Sequence, residues 1–268
     1  MDDSNAADFS LLLWTLSLFV AGLSWHLSNG WLRMAQRGPT LRSQWRALAL
    51  SAAALGTGLN AATVLGLTAQ PLAFPVGFHA LGGLGLLLGA SLLCLPVVAL
   101  PAGAARPWHL LLSGALLAVV ALGLQAGWVL AAGFRPGVLW RTEVLAAAAM
   151  VLMVGLMMTR WMAFSDVTEA SPRRVAWRLA AAVLGVFTLM AGQQLVCVAA
   201  GLSAQRGSLF ESQLHGTVLV LVCGVLVPLV MAAMGLDLWL RRHQRPRRGE
   251  AGLQPKKQRK RRQRMRTL

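Results

Sequence analysis

The chain has 268 residues, of which 56% are hydrophobic and only 13% charged, with a mean hydropathy of +0.60. No soluble domain can hide that much apolar surface beneath a polar exterior, so water-soluble classes are excluded. The net charge of +16 is unevenly placed: from Arg241 onward the chain holds thirteen Lys or Arg and one acid, Glu250, which leaves twelve basic and eight acidic residues, or +4, for the rest.

In chain order, seven apolar runs read as membrane-spanning helices: Phe9–Ser28, Arg46–Leu67, Val76–Leu100, Trp108–Phe134, Val144–Phe164, Val175–Leu202 and Leu214–Leu240. Each is close to the ~20 residues that cross the hydrocarbon at a rise of about 1.5 Å per residue. The leader MDDSNAADFS is acidic where a secretory signal would be basic, so the first run reads as a helix with its N-terminus outside. The connections Asn29–Trp45 and Ser165–Arg174 are polar, contain proline and read as linkers. Pro96 and Pro228 are the prolines inside a span.

Arginine placement predicts the orientation. With the N-terminus outside, the inside segments hold Arg33, Arg37, Arg42, Arg46, Arg106, Arg160, Arg173, Arg174, Arg178 and the tail, and the outside segments hold Arg135, Arg141 and Arg206. Trp25, Trp31, Trp45, Trp108, Trp140, Trp161, Trp177 and Trp239 lie near the predicted helix ends, as interfacial anchors would.

A period of 65 residues runs through the spans. LNAATVL at Leu59, LQAGWVL at Leu124 and LMAGQQL at Leu189 keep Leu-x-Ala and the last Leu in register. Each unit holds an outward helix, a short loop and an inward helix, so three tandem parallel helix hairpins are expected, approximately 46–100, 108–164 and 175–240, preceded by one helix. The fold class expected is therefore an all-α polytopic bundle of seven transmembrane helices (residues 1–240), with a disordered polybasic tail over 241–268.

This frame resembles the MHYT domain, a bacterial integral-membrane sensory module whose motif, close to G-x-G-I-x-x-M-H-[YF]-x-G-M, ends the second, fourth and sixth spans. The copies here are GTGLNAATVLGL (Gly56–Leu67), ALGLQAGWVLAA (Ala121–Ala132) and VFTLMAGQQLVC (Val186–Cys197). The resemblance covers nearly the whole chain up to Arg241. The family's histidine falls on Thr63, Trp128 and Gln193, its first methionine on Ala62, Gly127 and Gly192, its last methionine on Leu67, Ala132 and Cys197, and its aromatic on Val64, Val129 and Gln194. The resemblance implies a metal, copper, that senses a diatomic gas. Hydroxyl, indole and amide are poor substitutes for imidazole and thioether, so a diverged member without a metal is expected.

Polar side chains near the motif need partners in hydrocarbon, so Asn60, Gln125, Gln193 and Gln194 should face inward, as interhelical glue or as a small polar pocket. His79, His215 and Cys197 fall at similar depth and are weak candidates for a soft-metal site. Cys94, Cys197 and Cys223 lack metal or redox spacing and read as structural thiols. Met150, Met153, Met157, Met158 and Met162 read as core filling. Arg141 with Glu143, and Asp237 with Arg241 or Arg242, are expected to form local ion pairs.

The tail residues Arg241, Arg242, Arg245, Arg247, Arg248, Lys256, Lys257, Arg259, Lys260, Arg261, Arg262, Arg264 and Arg266 suit anionic lipid headgroups first and an acidic partner protein second. Nucleic acid is disfavoured, since no aromatic residues are interleaved for stacking. No nucleophile–base set, phosphate loop or paired carboxylates point to an enzyme. The expectation is a sensory protein of the bacterial inner membrane acting through a partner. The alternatives are a membrane assembly scaffold or a small-molecule transporter.

Overall fold

The structure, a computed structural model, describes residues 9–102, 106–164, 172–202, 205–210 and 212–243. Its helices are α1 (Leu11–Gln36), α2 (Leu41–Thr68), α3 (Ala80–Ala99), α4 (Pro107–Ala131), α5 (Thr142–Phe164), α6 (Pro172–Ala199), α7 (Gly216–Leu221) and α8 (Val227–His243). A 3-10 turn, Leu100–Ala102, follows α3, and a π turn, Val222–Leu226, joins α7 to α8. Seven stretches are long and apolar enough to cross a membrane, the last of them Gly216–Arg241. The chain is an all-α, multi-pass membrane protein.

Local chemistry sets the helix starts. The Ser10 hydroxyl accepts from the Leu13 N–H to open α1, Thr40 and Ser43 form a reciprocal capping box on α2, and Pro107 opens α4 where a missing N–H costs nothing. The π turn falls just before Pro228. A proline cannot donate to the preceding turn, and widening that turn accommodates the loss without breaking the span.

The first linker is much shorter than its polarity predicts. α1 continues to Gln36 because Ser28, Gly30, Trp31, Leu32 and Ala35 extend its buried face, and Gln36 Nε2 donates to the Pro101 carbonyl at 2.9 Å. Only residues 37–40 remain between α1 and α2. Trp25 and Trp31 are consequently interior side chains, 3% and 2% exposed, and not interfacial anchors; Trp45, Trp108, Trp161, Trp177 and Trp239 are exposed as anchors should be. The methionines of α5 differ too: Met150 and Met158 are 67% and 50% exposed and point out of the bundle, while Met162 is buried.

The chain divides into two units, Met1–Met231 and Ala232–Leu268. In the first, α2, α4 and α6 each touch the other two and form the centre, with 78%, 50% and 56% of their membrane windows buried against 28% for α3 and 22% for α5. Around them α3 packs on α2 and α4, α5 on α4 and α6, and α1 on α6 and α2. α1 therefore takes the third peripheral groove. α7 and the π turn pack on α2, the π turn also meeting α1, and this seventh span is the least buried. Of the three hairpins expected after a lone first helix, α2 with α3 and α4 with α5 pack as such, while α1, not the seventh span, holds the third peripheral place beside α6.

Backbone hydrogen bonds mark the same symmetry. The Ser10 N–H donates to the Ala69 carbonyl, His79 to Ala131 and Arg141 to Ala199, at 2.8–3.0 Å, so the start of each peripheral helix satisfies the open end of its central partner. At that end two short antiparallel pairs join the loops: β1 (Gly77–Phe78) with β4 (Leu214–His215), and β2 (Phe134–Arg135) with β3 (Gly207–Ser208). Ser208 Oγ ties them together, donating within reach of the Ala132 carbonyl at 2.7 Å and the Gly77 carbonyl at 3.0 Å while accepting from the Gly77 N–H. We call this the capped end.

In the second unit Asp237 meets the Arg241 guanidinium at 2.9 Å, the expected ion pair one helical turn apart. The Arg242 side chain, the tail bases from Arg245 to Arg266, the side chains of Arg173 and Arg174, and most of the Ser165–Arg174 connection lie outside the described residues.

Candidate functional site

The repeat motif sits one to three turns from the ends of α2, α4 and α6, where those helices are in mutual contact. Small residues permit the approach. A side chain added at Gly127 would meet Leu86 of α3 at 2.5 Å, and one at Gly192 would meet Leu152 of α5 at 2.6 Å. The equivalent residue Ala62 offers its carbonyl to Ser17 Oγ of α1, 2.6 Å away. Ser17, Leu86 and Leu152 thus hold corresponding places on the three peripheral helices. Gly66, one turn past Ala62, faces the Gln193 amide, which an added Cβ would approach to 2.6 Å.

Within this frame the predicted polar residues meet one another across helices. Trp128 Nε1 donates to Asn60 Oδ1 at 3.0 Å, and Asn60 Nδ2 donates to the Gly56 carbonyl of its own helix at 2.9 Å. Gln125 Nε2 donates to the Leu189 carbonyl at 3.1 Å, and Gln193 Nε2 to the Thr63 carbonyl at 2.7 Å. These three contacts link α4 to α2, α4 to α6 and α6 to α2, closing a ring. Asn60, Gln125 and Gln193 are each 3% exposed. The Thr63 hydroxyl turns back to the Leu59 carbonyl, so its backbone, not its side chain, joins the ring.

Each glutamine can be oriented only one way. The carbonyl it faces accepts and cannot donate, so the NH₂ must point there and the amide oxygen must point elsewhere. Gln125 Oε1 and Gln193 Oε1 are buried with no donor among the described residues. An acceptor left in that condition costs about 1–3 kcal/mol.

No protein-family model, curated protein or solved structure matches the chain.

Gln194 lies at the edge of the ring, half-buried, and accepts from Gln70 Nε2 at 3.2 Å. Gln70 and Ser17 escaped the sequence reading, because Gln70 falls past the motif and Ser17 belongs to a helix without the Leu-x-Ala frame. Above the ring, Phe78 of β1 is fully buried and meets the Trp128 ring edge-on at 5.4 Å, sealing it from the capped end.

The proposed soft-metal trio is not assembled. His79 caps α3, its Nδ1 accepting from the Gly82 N–H at 3.0 Å, and its ring lies 5.0 Å from that of Phe210. His215 is exposed on β4, while Cys197 is 4% exposed within α6. Among the described residues no group of three or more His, Cys, Asp or Glu could hold a metal ion. Cys94 and Cys223 are buried and free, the environment of small apolar side chains.

Proposed function

We propose that the protein is an MHYT-like membrane signalling module in which a ring of amide and indole hydrogen bonds occupies the place of the family's metal. The observation that supports it most is the closure of Asn60–Trp128, Gln125–Leu189 and Gln193–Thr63 around one level of the bundle, with two glutamine oxygens still able to accept. A ligand that donates hydrogen bonds to Gln125 and Gln193 favours one packing of the three repeats, and differential affinity for that packing is all a signal requires. The module is not an enzyme. Its output passes to a separate partner or to the membrane surface through the basic tail, in a bacterial inner membrane with the N-terminus outside and the tail inside.

Coupling between ring and tail tests this reading. In proteoliposomes, Gln125→Leu and Gln193→Leu should alter the rate of tryptic cleavage in the tail while the bundle keeps its helicity. Unchanged cleavage in both folded variants would leave the ring as packing alone, and the scaffold reading would replace the sensory one.

A further inference from the structure

Arg160 lies on α5 four residues before its end at Phe164, about 6 Å along the axis. It continues the buried face of Ala148, Leu152 and Leu156 and is itself 1% exposed. All three guanidinium nitrogens, Nε, Nη1 and Nη2, are buried without a hydrogen-bond partner among the described residues. The group stacks on Trp25 of α1, whose ring centroid is 4.8 Å from Cζ.

A buried cation needs a counter-charge, and the described chain supplies none at this place. The described residues contain two carboxylates, Glu143 and Asp237. Glu143 opens α5, seventeen residues away, and Asp237 is already engaged by Arg241. The Trp25 ring covers one face of the guanidinium, whereas the five N–H bonds lie in its plane. That plane is where a two-oxygen acceptor docks, and the guanidinium fork matches a phosphate or phosphodiester edge. A charged residue inside a span with unpaired donors marks a ligand path more often than it stabilises the fold.

We propose that Arg160 anchors an oxyanion site within the bundle, one turn from the end opposite the cap, which takes a single phosphate or phosphodiester group against the Trp25 face. The anion lies between α5 and α1, and enclosure makes its exchange slow. Free phosphate and the headgroup of an anionic lipid present the same chemistry, and the experiment separates them.

The full chain, purified in a neutral maltoside detergent and delipidated, is titrated with inorganic phosphate and separately with phosphatidylglycerol. Thermal unfolding and native mass spectrometry are followed at matched ionic strength. One ligand per chain should be retained and raise Tm, and Arg160→Met should weaken that binding at least tenfold while leaving the ligand-free Tm equal or higher. The tail is identical in both proteins, so its own lipid contacts cancel in the comparison. Phosphate that competes with the lipid assigns a site open to the free ion, and a response to lipid alone assigns the headgroup. If R160M fails to accumulate, Arg160→Lys carries the test, since it keeps the charge, loses the fork and should bind several-fold more weakly. Absence of a shift with either ligand, or an equal shift in the variants, overturns the proposal. So does a tenfold gain in phosphate affinity on changing Asp166→Asn and Glu169→Gln together, because the chain's own carboxylates would then be the counter-ions.

Discussion

Trp128 Nε1 donates to Asn60 Oδ1 at 3.0 Å, which joins two repeats through residues that do not correspond: Trp128 is the fifth residue of LQAGWVL and Asn60 the second of LNAATVL. The second copy's indole reaches into the first copy's polar place, and the amide that corresponds to Asn60 in the second copy, Gln125, turns instead to the third. The ring is thus built from one frame used three different ways. Because Phe78 and the α2 backbone enclose the pair, loss of the donor leaves Asn60 Oδ1 without a substitute. Trp128→Phe should destabilise the bundle by about 1–3 kcal/mol. Asn60→Leu should cost a similar amount, and the double variant clearly less than the sum. Strict additivity in detergent unfolding would mean the bond contributes nothing.

Glycine positions give a graded test of the helix contacts. An added Cβ at Gly58 would collide with Ser24 of α1 and one at Gly66 with the Gln193 amide, whereas nothing lies within 4 Å at Gly123. Gly58→Val should therefore be the most damaging and Gly66→Ala intermediate. Gly123→Ala should be neutral or stabilising by up to about 1 kcal/mol, the helix-propensity difference between the two residues. Thermal unfolding of the three purified variants gives the order, and a Gly123 variant as unstable as the Gly58 one would contradict this packing.

The central helices were legible in the sequence because Leu59, Leu124 and Leu189 repeat at a fixed interval and a shared packing environment preserves such a frame. The part played by α1 was not. Its counterpart to Leu86 and Leu152 is Ser17, a polar residue whose hydroxyl reaches the Ala62 carbonyl, so nothing apolar recurs for the eye to match. The last turns of α1 were hidden for a related reason: Asn29, Arg33 and Gln36 look like a linker when read singly, while Trp31, Leu32 and Ala35 between them continue the interior face. Arg160 counted only as one more basic marker. Its place four residues after Leu156, itself four after Leu152 and eight after Ala148, is the signal that it lies on the buried row, since residues at that spacing share a helix face.

Copper content addresses the site directly. With Trp128, Gln193 and the Thr63 hydroxyl held in hydrogen bonds and His79 Nδ1 engaged as a helix cap, purified protein should carry well under one equivalent of copper by elemental mass spectrometry. A stoichiometric metal that disappears in His79→Ala, His215→Ala or Cys197→Ser would reverse this expectation.

Orientation is open to a two-fusion test. A reporter enzyme active only outside the membrane should work when fused after Ala69, at the capped end, and fail when fused after Ala105, because Arg33, Arg37, Arg42 and Arg106 cluster towards the other end. The opposite pattern would invert the bundle and place the ring towards the cytoplasm.

The tail prediction separates surface attachment from structure. Thirteen basic residues lie from Arg241 to Leu268 with almost no apolar content, a composition that cannot bury a core of its own. Deleting Gln244–Leu268 should leave the bundle inserted in the same orientation, since Arg33, Arg37, Arg42, Arg173 and Arg174 still mark one side, and should leave its thermal unfolding unchanged. A peptide of the tail should bind vesicles containing anionic lipid, each base near the surface contributing on the order of 1 kcal/mol. That attraction is Coulombic, so raising the salt from about 0.01 M to 1 M, which shortens the screening length from about 30 Å to about 3 Å, should abolish most of it. Binding that ignores salt, or that is equal on neutral vesicles, would remove anionic lipid as the tail's partner and leave an acidic protein as the better candidate. Unfolding of the bundle on deletion would instead place part of the tail within the fold and move the boundary drawn at Arg241.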